Sequence, residues 1–498
     1  MASSLTWGII GAGNIAKAFA KGVERSKTGK LVAVGSRSKE KAAAFGAEMQ
    51  VPADHCHGSY EALLADASVQ AVYVATPHPM HAEWAIRAAE AGKHVLCEKP
   101  IGLNQYEAMA IIEAARRHDV FLMEAFMYRC HPQTAKLVEL IRQKAIGEVR
   151  VIQATFSFHA GFNPQGRLFA NELGGGGILD VGCYCTSMSR LIAGAALGQP
   201  FAEPLEVKGA GHLGQTGIDE WALATARFPG DILAHWATGV SVGQENVVRI
   251  FGSEGNILVP SPWIPAREGG TVKIIVKANR DKEPQEIAVE TADYLYGLEA
   301  DTVAANLERR QAAPPAMSWD DTLGNMRALD QWRLSFGFTY GAEQAANARP
   351  VTVAGRMPAR RAAHPMKYGR IPGVEKPVAR LVMGVDNQNL YPHARVMFDD
   401  YFENGGNTFD TAWVYGRDKS VNLGAWVKSR GLREEVVLIC KGAHSPICFP
   451  QTIASQLEDW MSWADTGYCD IYMLHRDNPQ VPVGEFVDAL NEQVKAGR

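Results

Sequence analysis

Hydrophobic and polar positions in the first part of the chain alternate between short apolar runs and stretches of helical periodicity. Each apolar run is joined to the next through one amphipathic segment, as far as residue 123. Such alternation predicts a parallel, doubly wound Rossmann sheet with helices on both faces. The predicted strands are 5–10, 31–35, 69–75, 94–97 and 120–123, and the predicted helices are 14–25, 39–49, 81–91 and 104–118.

The pattern changes near residue 149, where strand-like runs follow one another closely around one helix-like segment, 177–196. Close succession favours a largely antiparallel sheet in an α+β domain, which helices at 294–311 and 319–336 would close. After a stretch rich in proline and arginine come four further β/α units, as in a partial (β/α) barrel. We therefore predict a dinucleotide-binding Rossmann domain at 1–125, a substrate and oligomerisation domain at 126–345, an exposed linker at 346–379 and the partial barrel at 380–498.

Composition narrows the classes of function. The chain has 498 residues and a formal net charge of −4, so no basic field favours nucleic acid or an anionic membrane. No apolar run reaches the roughly 18 residues of a membrane span. Eight cysteines without a CxxC pair indicate reduced thiols in a cytoplasmic protein. The His55-Cys56-His57 triplet has no second ligand pair nearby in sequence, so we expect no metal.

A glycine motif lies between the first predicted strand and the first helix. The residues Gly-Ala-Gly-Asn-Ile-Ala occupy positions 11–16. Gly11 suits the tight turn, Gly13 allows a pyrophosphate to approach the backbone, and Ala16 lets helix and strand pack closely. The position of the motif predicts dinucleotide binding by Gly11, Gly13, Asn14 and Ile15.

The end of the second strand indicates which dinucleotide is bound. An NAD site expects a carboxylate there, whereas this chain has Ser36, Arg37 and Ser38. A guanidinium beside hydroxyl groups suits a 2′-phosphate. We predict NADP, with NAD as the alternative.

Three more segments are expected to meet at the ligand crevice. Thr76 and Lys99 each follow a strand, and the carboxyl ends of parallel strands face one crevice. Asp180 and Tyr184 are four residues apart in the helix-like segment and share a face. These side chains are predicted to surround the reactive ring of the cofactor.

The glycine motif, Glu98-Lys99-Pro100 and the Asp180-x-Gly182-x-Tyr184 segment together resemble the Gfo/Idh/MocA oxidoreductase family over about 5–345. Within it, the chain looks most like the branch of NADP-dependent D-xylose dehydrogenases and dimeric trans-dihydrodiol dehydrogenases. The resemblance implies a two-domain fold and hydride transfer between NADP(H) and a sugar or cyclic diol or ketone. It also implies cofactor contacts from Thr76, Pro77, His81, Glu98, Lys99 and Arg129.

Two residues are candidates for the proton transfer. Tyr184 suits this role if Lys99 lowers its pKa from about 10, and Lys99 itself is the alternative. Asp180 would bind substrate hydroxyls or position the other two groups. His159 and Arg167 are expected to line the substrate pocket.

The last part of the chain resembles the aldo-keto reductase family over about 380–498. The resemblance rests on Asn-Thr-Phe-Asp-Thr-Ala-Trp-Val-Tyr-Gly at 407–416 and on two strand ends. It implies a proton donor, Tyr415, whose pKa Lys441 and Asp410 tune, while His475 orients the carbonyl. Because a barrel has eight strands and runs to about 250 residues, we expect Arg498 to be a truncation point and this tetrad to be inactive. In a complete barrel, two linked sites would oxidise and reduce one sugar in succession.

We therefore predict an NADP-dependent dehydrogenase of a small carbohydrate or diol, assembled as a homo-oligomer through the second-domain sheet. Two alternatives remain. One is a glycosidase on the same fold that uses NAD transiently, and the other is a nucleotide-sensing regulator.

Overall fold

The computed structural model describes residues 4–498, and these divide into two units at Tyr340 and Gly341. Each unit has its own sheets and its own core. Among the described residues, no helix combines the length and the apolar character needed to cross a membrane.

The first six strands form one parallel sheet in the order β3-β2-β1-β4-β5-β6, which confirms the predicted Rossmann topology. The chain order reverses between β1 and β4, and ligands bind beyond the carboxyl ends of strands at such a point. The strands are β1 (Leu5–Ile10), β2 (Gly29–Gly35), β3 (Cys56–His57), β4 (Ala71–Val74), β5 (His94–Glu98) and β6 (Leu122–Ala125). The helices are α1 (Asn14–Glu24), α2 (Lys39–Met49), α3 (Tyr60–Leu64), α4 (His81–Glu90) and α5 (Gln105–Arg117).

A second sheet of eight strands follows, in the order β14-β13-β12-β11-β7-β10-β9-β8. It is largely antiparallel, as predicted, but β7 and β10 pair in parallel at its centre. The strands are β7 (Val149–Ser157), β8 (Glu206–Leu213), β9 (Asp219–Arg227), β10 (Leu233–Gly239), β11 (Val248–Gly252), β12 (Gly255–Val259), β13 (Gly270–Ala278) and β14 (Gln285–Thr291). Sequence analysis missed β12 and β14. The first is short and follows a tight turn, and the second alternates polar and small apolar residues at a sheet edge.

Helices cover one face of this sheet. They are α6 (Pro132–Arg142), α7 (Cys183–Ala196) and α9 (Trp319–Leu334), whereas α8 (Leu295–Asn306) packs against α1 and β2 of the Rossmann sheet. Every residue of α7 except its last is buried, and one turn of π-helix, Ile178–Gly182, precedes it. The other face exposes Trp221, Leu223 and Leu233. Self-association through that face stays a prediction.

A buried ion cluster joins α7 to α9. The Asp321 carboxylate accepts from Arg129 at 2.6 Å and from Arg190 at 2.5 Å, and all three side chains are at most 2% exposed. Arg190 also donates to Glu203 at 2.7 Å. Asp321 therefore compensates both guanidinium groups, with Glu203 as a second partner of Arg190, and neither guanidinium could be buried alone.

The second unit contains a parallel sheet in the chain order β17-β18-β19-β20, which agrees with the predicted series of β/α units. Its strands are β17 (Met383–Gly384), β18 (Thr408–Ala412), β19 (Val437–Gly442) and β20 (Ile471–Leu474). Its helices are α10 (Tyr391–Glu403), α11 (Arg417–Arg430), α12 (Pro450–Trp463) and α13 (Val483–Lys495). Aromatic side chains, with Phe398, Phe409 and Trp426 at the centre, pack between sheet and helices.

The stretch 346–379, predicted to be an exposed linker, is attached to this second unit. It contains a short antiparallel pair, β15 (Tyr368–Gly369) with β16 (Val378–Ala379). The Lys376 ammonium donates to the Asp470 carboxylate at 2.7 Å and to two main-chain carbonyls at 3.0 Å. Lys376 thus has partners within the unit, which composition alone does not reveal.

Replacing Asp321 tests the buried ion cluster. In Asp321→Ala, Arg129 and Arg190 lose the carboxylate that compensates them, and we expect the free energy of unfolding to fall by about 3–5 kcal/mol. Chemical denaturation measures this change. The matched control is Asp320→Ala, because Asp320 is exposed in the same helical turn and its loss should cost less than about 1 kcal/mol. Equal effects in the two variants would contradict the role given to the cluster.

Candidate active site

A cleft of about 1010 Å³ opens beyond the carboxyl ends of β1, β4 and β5. It is lined at one end by the turn after β1 and by the residues after β2. At the other end it is lined by residues of the second sheet domain, including Asp180 and Tyr184. The crevice therefore lies where the strand order predicts it, and it accommodates a molecule longer than a single sugar.

The two glycines after β1, Gly11 and Gly13, have different structural roles. Gly11 has φ +101°, and a Cβ there would lie 2.7 Å from the Ala75 carbonyl oxygen. Gly13 has an ordinary φ of −88°, and no atom of the described chain lies within 4 Å of where its Cβ would be. Gly11 thus makes the turn, while the absence of a side chain at Gly13 leaves open space before the first turn of α1. A pyrophosphate fits that space, since helix N-termini bind anions.

Basic and hydroxyl groups meet at the end of β2. Ser36, Arg37 and Lys41 line the cleft there. Burial raises the pKa of the neighbouring Tyr60, and the Arg37 guanidinium opposes this. Lys41 was missed by sequence analysis, although its place in the first turn of α2, behind the N-cap Ser38, is a usable signal.

Thr76 and His81 lie along the floor of the cleft. Thr76 Oγ1 is buried and has no hydrogen-bond partner within residues 4–498, so a bound group has a polar atom to contact there. His81 is held between the carbonyls of Pro100 (2.7 Å) and Thr76 (2.8 Å). Burial lowers the pKa of His81 to about 4, although the hydrogen bonds to the two carbonyls oppose the fall. The unpartnered hydroxyl and the open space at Gly13 both fit a dinucleotide.

Lys99 is fixed by Asp180. Its ammonium donates to the Asp180 main-chain carbonyl at 2.6 Å and lies 3.5 Å from the carboxylate, whose second cation is Arg167 at 2.8 Å. Burial by itself would raise the pKa of Asp180, but the charges of Lys99 and Arg167 outweigh it and lower that pKa. Asp180 is therefore ionised, and Lys99 is held as its counter-ion at the cleft.

A second carboxylate holds the backbone of this segment. Asp219, on β9, accepts from the Ile178 amide at 2.6 Å at the start of the π-turn that carries Asp180. Burial raises the pKa of Asp219 to about 7, and the Ile178 amide opposes the rise. Asp219 is a positioning residue that sequence analysis missed, because it lies 41 residues further along the chain.

The expectation that Lys99 lowers the pKa of Tyr184 is wrong. Burial raises the pKa of Tyr184 well above its usual range. Its hydroxyl contacts Met127 Sδ at 3.4 Å, and Lys99 Nζ lies over the ring, 5.1 Å from its centroid, rather than at the hydroxyl. The lysine thus faces the π surface, and Tyr184 stays a neutral phenol.

Not every predicted residue lies in the cleft. Arg129, expected near the cofactor, is buried in the ion cluster with Asp321, because α9 supplies a carboxylate that the local sequence does not show. His159, expected in the substrate pocket, is exposed and contacts the Ser241 carbonyl at 2.7 Å. His78, which sequence analysis did not single out, is buried in the lining of the cleft and contacts the Gly174 carbonyl at 2.9 Å. The remaining predicted residues of this unit line the cleft: Gly11, Gly13, Asn14, Ile15, Ser36, Arg37, Thr76, Pro77, His81, Glu98, Lys99, Arg167, Asp180 and Tyr184.

The second unit brings together its own four residues. Lys441 Nζ lies 2.7 Å from the Asp410 carboxylate and 3.0 Å from the Tyr415 hydroxyl. The His475 ring stands perpendicular to that of Tyr415, with centroids 5.8 Å apart. Burial would lower the pKa of Lys441, but its bonds to Asp410 and Tyr415 outweigh this and raise it.

Comparison with known proteins places this geometry in a family. Residues 5–126 match the oxidoreductase family with an NAD-binding Rossmann fold, and residues 134–258 match the Gfo/Idh/MocA C-terminal domain. Trans-1,2-dihydrobenzene-1,2-diol dehydrogenase of Xenopus tropicalis is 31% identical over 341 residues, which cover 67% of this chain and 98% of that protein. The chain belongs to the Gfo/Idh/MocA oxidoreductase family. The enzyme of the same name from Mus musculus is 29% identical over 343 residues, covering 68% of this chain and 98% of its own.

Solved structures share the Gfo/Idh/MocA fold. An aldose-aldose oxidoreductase from Caulobacter crescentus complexed with glycerol has a TM-score of 0.59 at 23% identity, covering 67% of this chain and 97% of its own. A 3-ketoreductase from Actinomadura kijaniata, in complex with NADP and TDP-benzene, also has a TM-score of 0.59 at 23% identity. The match covers 67% of this chain and 98% of that protein. Residues 382–498 match the aldo/keto reductase family. The chain is thus an NAD(P)-dependent oxidoreductase whose Gfo/Idh/MocA part is followed by an aldo/keto reductase segment.

A substitution at Gly13 tests the proposed dinucleotide cradle. In Gly13→Val the side chain enters open space, so we expect the melting temperature to be unchanged while the Kd for the dinucleotide rises about tenfold or more, because the backbone approach is blocked. Calorimetric titration and thermal denaturation measure the two effects. Gly243→Val is the control, since Gly243 also has open space around it but lies outside the cleft. Unaltered dinucleotide binding in Gly13→Val would contradict the placement.

Proposed function

We propose that the Gfo/Idh/MocA unit oxidises a CH–OH group of a cyclic trans-diol or a sugar, and reduces the corresponding carbonyl, with NADP(H). The observation that carries this proposal is the Lys99 ammonium, fixed by Asp180 at the centre of a cleft with a glycine turn at one end and aromatic side chains at the other. Bound NADP(H) would supply the hydride acceptor or donor.

The chain offers contacts for each part of the cofactor. The α1 N-terminus and Gly13 suit the pyrophosphate, Thr76 and Pro77 lie further along the cleft, and Arg37 with Lys41 suits a 2′-phosphate. The absence of a carboxylate at the end of β2 supports NADP over NAD. On this proposal, residues 1–125 hold the dinucleotide and residues 126–345 hold the substrate.

Lys99 is the group that moves the proton. In the direction of reduction, Lys99 Nζ donates a proton to the substrate oxygen and is reprotonated from solvent. In the direction of oxidation, Lys99 first passes its proton to solvent and then accepts the proton of the substrate hydroxyl. Tyr184, kept neutral by burial, donates a hydrogen bond to the same oxygen. Asp180 orients Lys99, and Arg167 stands at the mouth of the cleft with its side chain 57% exposed, within reach of substrate hydroxyls.

Aromatic groups shape the substrate end. Phe156 and Phe158 line the cleft with Tyr184, and the rings of Phe156 and Tyr184 pack edge to face with centroids 5.2 Å apart. A flat carbocycle with two hydroxyl groups matches this apolar wall and its polar floor. The diol-dehydrogenase names of the relatives at about 30% identity support the same substrate class.

Removing the Lys99 amine tests this assignment. In Lys99→Ala we expect kcat for oxidation of a trans-dihydrodiol or an aldose by NADP⁺ to fall about 10²–10⁴-fold, because the proton-transfer group is lost. The absorbance of reduced nicotinamide measures the rate, and titration with NADP⁺ checks that the cofactor still binds. Tyr184→Phe should lose less activity, since it removes only a hydrogen bond.

The control lies in the second unit. Tyr415→Phe removes the hydroxyl that contacts Lys441, and we expect it to leave this activity unchanged. Loss of activity in Tyr415→Phe with retention in Lys99→Ala would move the chemistry to the aldo/keto reductase segment. Tightly held cofactor without net NADPH formation would favour the transient-redox glycosidase, and NADP binding without any turnover would favour a regulator.

Arg37 tests the cofactor preference. In Arg37→Ala we expect the KM for NADP⁺ to rise about 10- to 100-fold through the lost charge-assisted bonds, with little change for NAD⁺. Steady-state kinetics with both cofactors measure the ratio. Lys21→Ala removes an exposed cation at the far end of α1 and serves as the control. Parallel changes for both cofactors in Arg37→Ala would refute a 2′-phosphate contact.

A further inference from the structure

The His55-Cys56-His57 triplet lies at the edge strand of the Rossmann sheet, away from the residues proposed for catalysis. Because side chains alternate along β3, His57 points away from Cys56, which is buried near the carbonyls of Val51 and Pro52. His55 lies in the turn before β3 and contacts the same carboxylate as His57, so the two histidines share a side and the thiol is not part of their cluster.

A carboxylate from a different element completes the group. Asp66, in the loop after α3, places Oδ2 2.7 Å from His55 Nδ1 and 2.9 Å from His57 Nε2. These three atoms lie within 4.8 Å of one another, and residues 4–498 contain no other such trio of histidine, cysteine or acidic side chains. Two nitrogens and one oxygen thus converge on a single point.

Hydrogen bonds from neighbouring residues fix the position of the Asp66 carboxylate. Its Oδ1 accepts from the Ser68 amide at 2.9 Å and from the Ser68 hydroxyl at 2.6 Å, which leaves Oδ2 for the histidines. The Lys93 ammonium bonds to the carbonyls of Asp66 (2.9 Å) and Val69 (2.7 Å) and so fixes the loop. The carboxylate is 8% exposed, and its partners His55 and His57 are 33% and 18% exposed, so an ion has access from solvent.

The other ring nitrogen of His55 also has an appropriate partner. Nε2 faces the Asp54 carboxylate at 4.0 Å. Metal-bound histidines commonly donate their second N–H to a carboxylate, which orients the ring and raises its basicity as a ligand. Asp54 is 82% exposed and lies beyond hydrogen-bond distance, so its side chain would have to move closer to give such support.

We propose that His55 Nδ1, His57 Nε2 and Asp66 Oδ2 form a binding site for a late first-row divalent cation, with Zn²⁺ as the reference ion. Two imidazoles and a carboxylate are ligands that Zn²⁺ accepts, and a tetrahedral ion would keep its fourth position for water. The existing contacts need to open by only about 0.5 Å to reach the ligand spacing of a tetrahedral zinc site.

An ion at this site would stabilise the short edge strand β3 of the Rossmann sheet. β3 has only two residues, and the His57 carbonyl accepts from the Ser36 amide at 3.1 Å, at the end of the cleft proposed for the adenosine phosphate. Coordination would tie this strand to the loop after α3. Bound Zn²⁺ should therefore raise the melting temperature, because it stabilises only the folded state.

The test is titration of untagged, chelator-treated protein with Zn²⁺ by calorimetry and thermal denaturation. We expect the wild type to bind one ion per chain at this site and to gain stability. His57→Gln and Asp66→Asn should each weaken binding at least about 100-fold, more than the 10–100-fold that loss of a supporting residue costs. His118→Gln, which removes an exposed histidine elsewhere on the domain, should bind like the wild type.

Absence of saturable Zn²⁺ binding in the wild type would overturn the proposal. Wild-type affinity for Zn²⁺ in His57→Gln and Asp66→Asn would overturn it as well. If circular dichroism shows that either variant is unfolded, X-ray absorption of the zinc-loaded wild type identifies the ligands of the ion instead. Two imidazoles with oxygen ligands support the site, whereas sulfur ligands place the ion elsewhere and reject it.

Discussion

The contact between Lys99 and Asp180 is the constraint on which the first unit depends. It joins the end of β5 in the Rossmann sheet to the π-turn before α7, which belongs to the second sheet domain of the unit. Burial opposes the charge on Asp180, and two cations, Lys99 and Arg167, overcome that cost. The same pairing leaves the ammonium at the cleft, where its proton is available. On the proposed mechanism, structural attachment and proton transfer therefore depend on the same side chain.

Buried carboxylates also fix distant elements against each other away from the cleft. Asp321 compensates Arg129 and Arg190 where α9 meets α7, and Asp219 accepts the amide that begins the Asp180 turn. Each carboxylate lies far along the chain from its partner, so each pair fixes one element against another. A buried charge without such a partner would cost several kcal/mol.

The two units arrange lysine and tyrosine differently. In the second unit Lys441 Nζ is 3.0 Å from the Tyr415 hydroxyl and also bonds to Asp410, so a direct hydrogen bond links amine and phenol. In the first unit Lys99 lies over the Tyr184 ring, and the hydroxyl contacts a methionine sulfur. A lysine lowers the pKa of a phenol most strongly when its ammonium lies at the phenol oxygen, as Lys441 does in the second unit. This is why the proton is assigned to Lys99 itself in the first unit.

The sequence by itself determined the Rossmann topology and most of the cleft. Periodicity and motifs are local properties, so the strand–helix alternation predicted five of the six strands and missed only the two-residue β3. Gly11, Thr76 and Lys99 fell at strand ends that must converge. Only the tertiary structure decided which distant groups meet. It buried Arg129 against Asp321, left His159 exposed and placed Asp66 beside His55 and His57, although no sequence spacing linked these residues. It also set the pKa of Tyr184, because burial and the direction of a neighbouring charge depend on the packed environment and not on the spacing of residues along the chain.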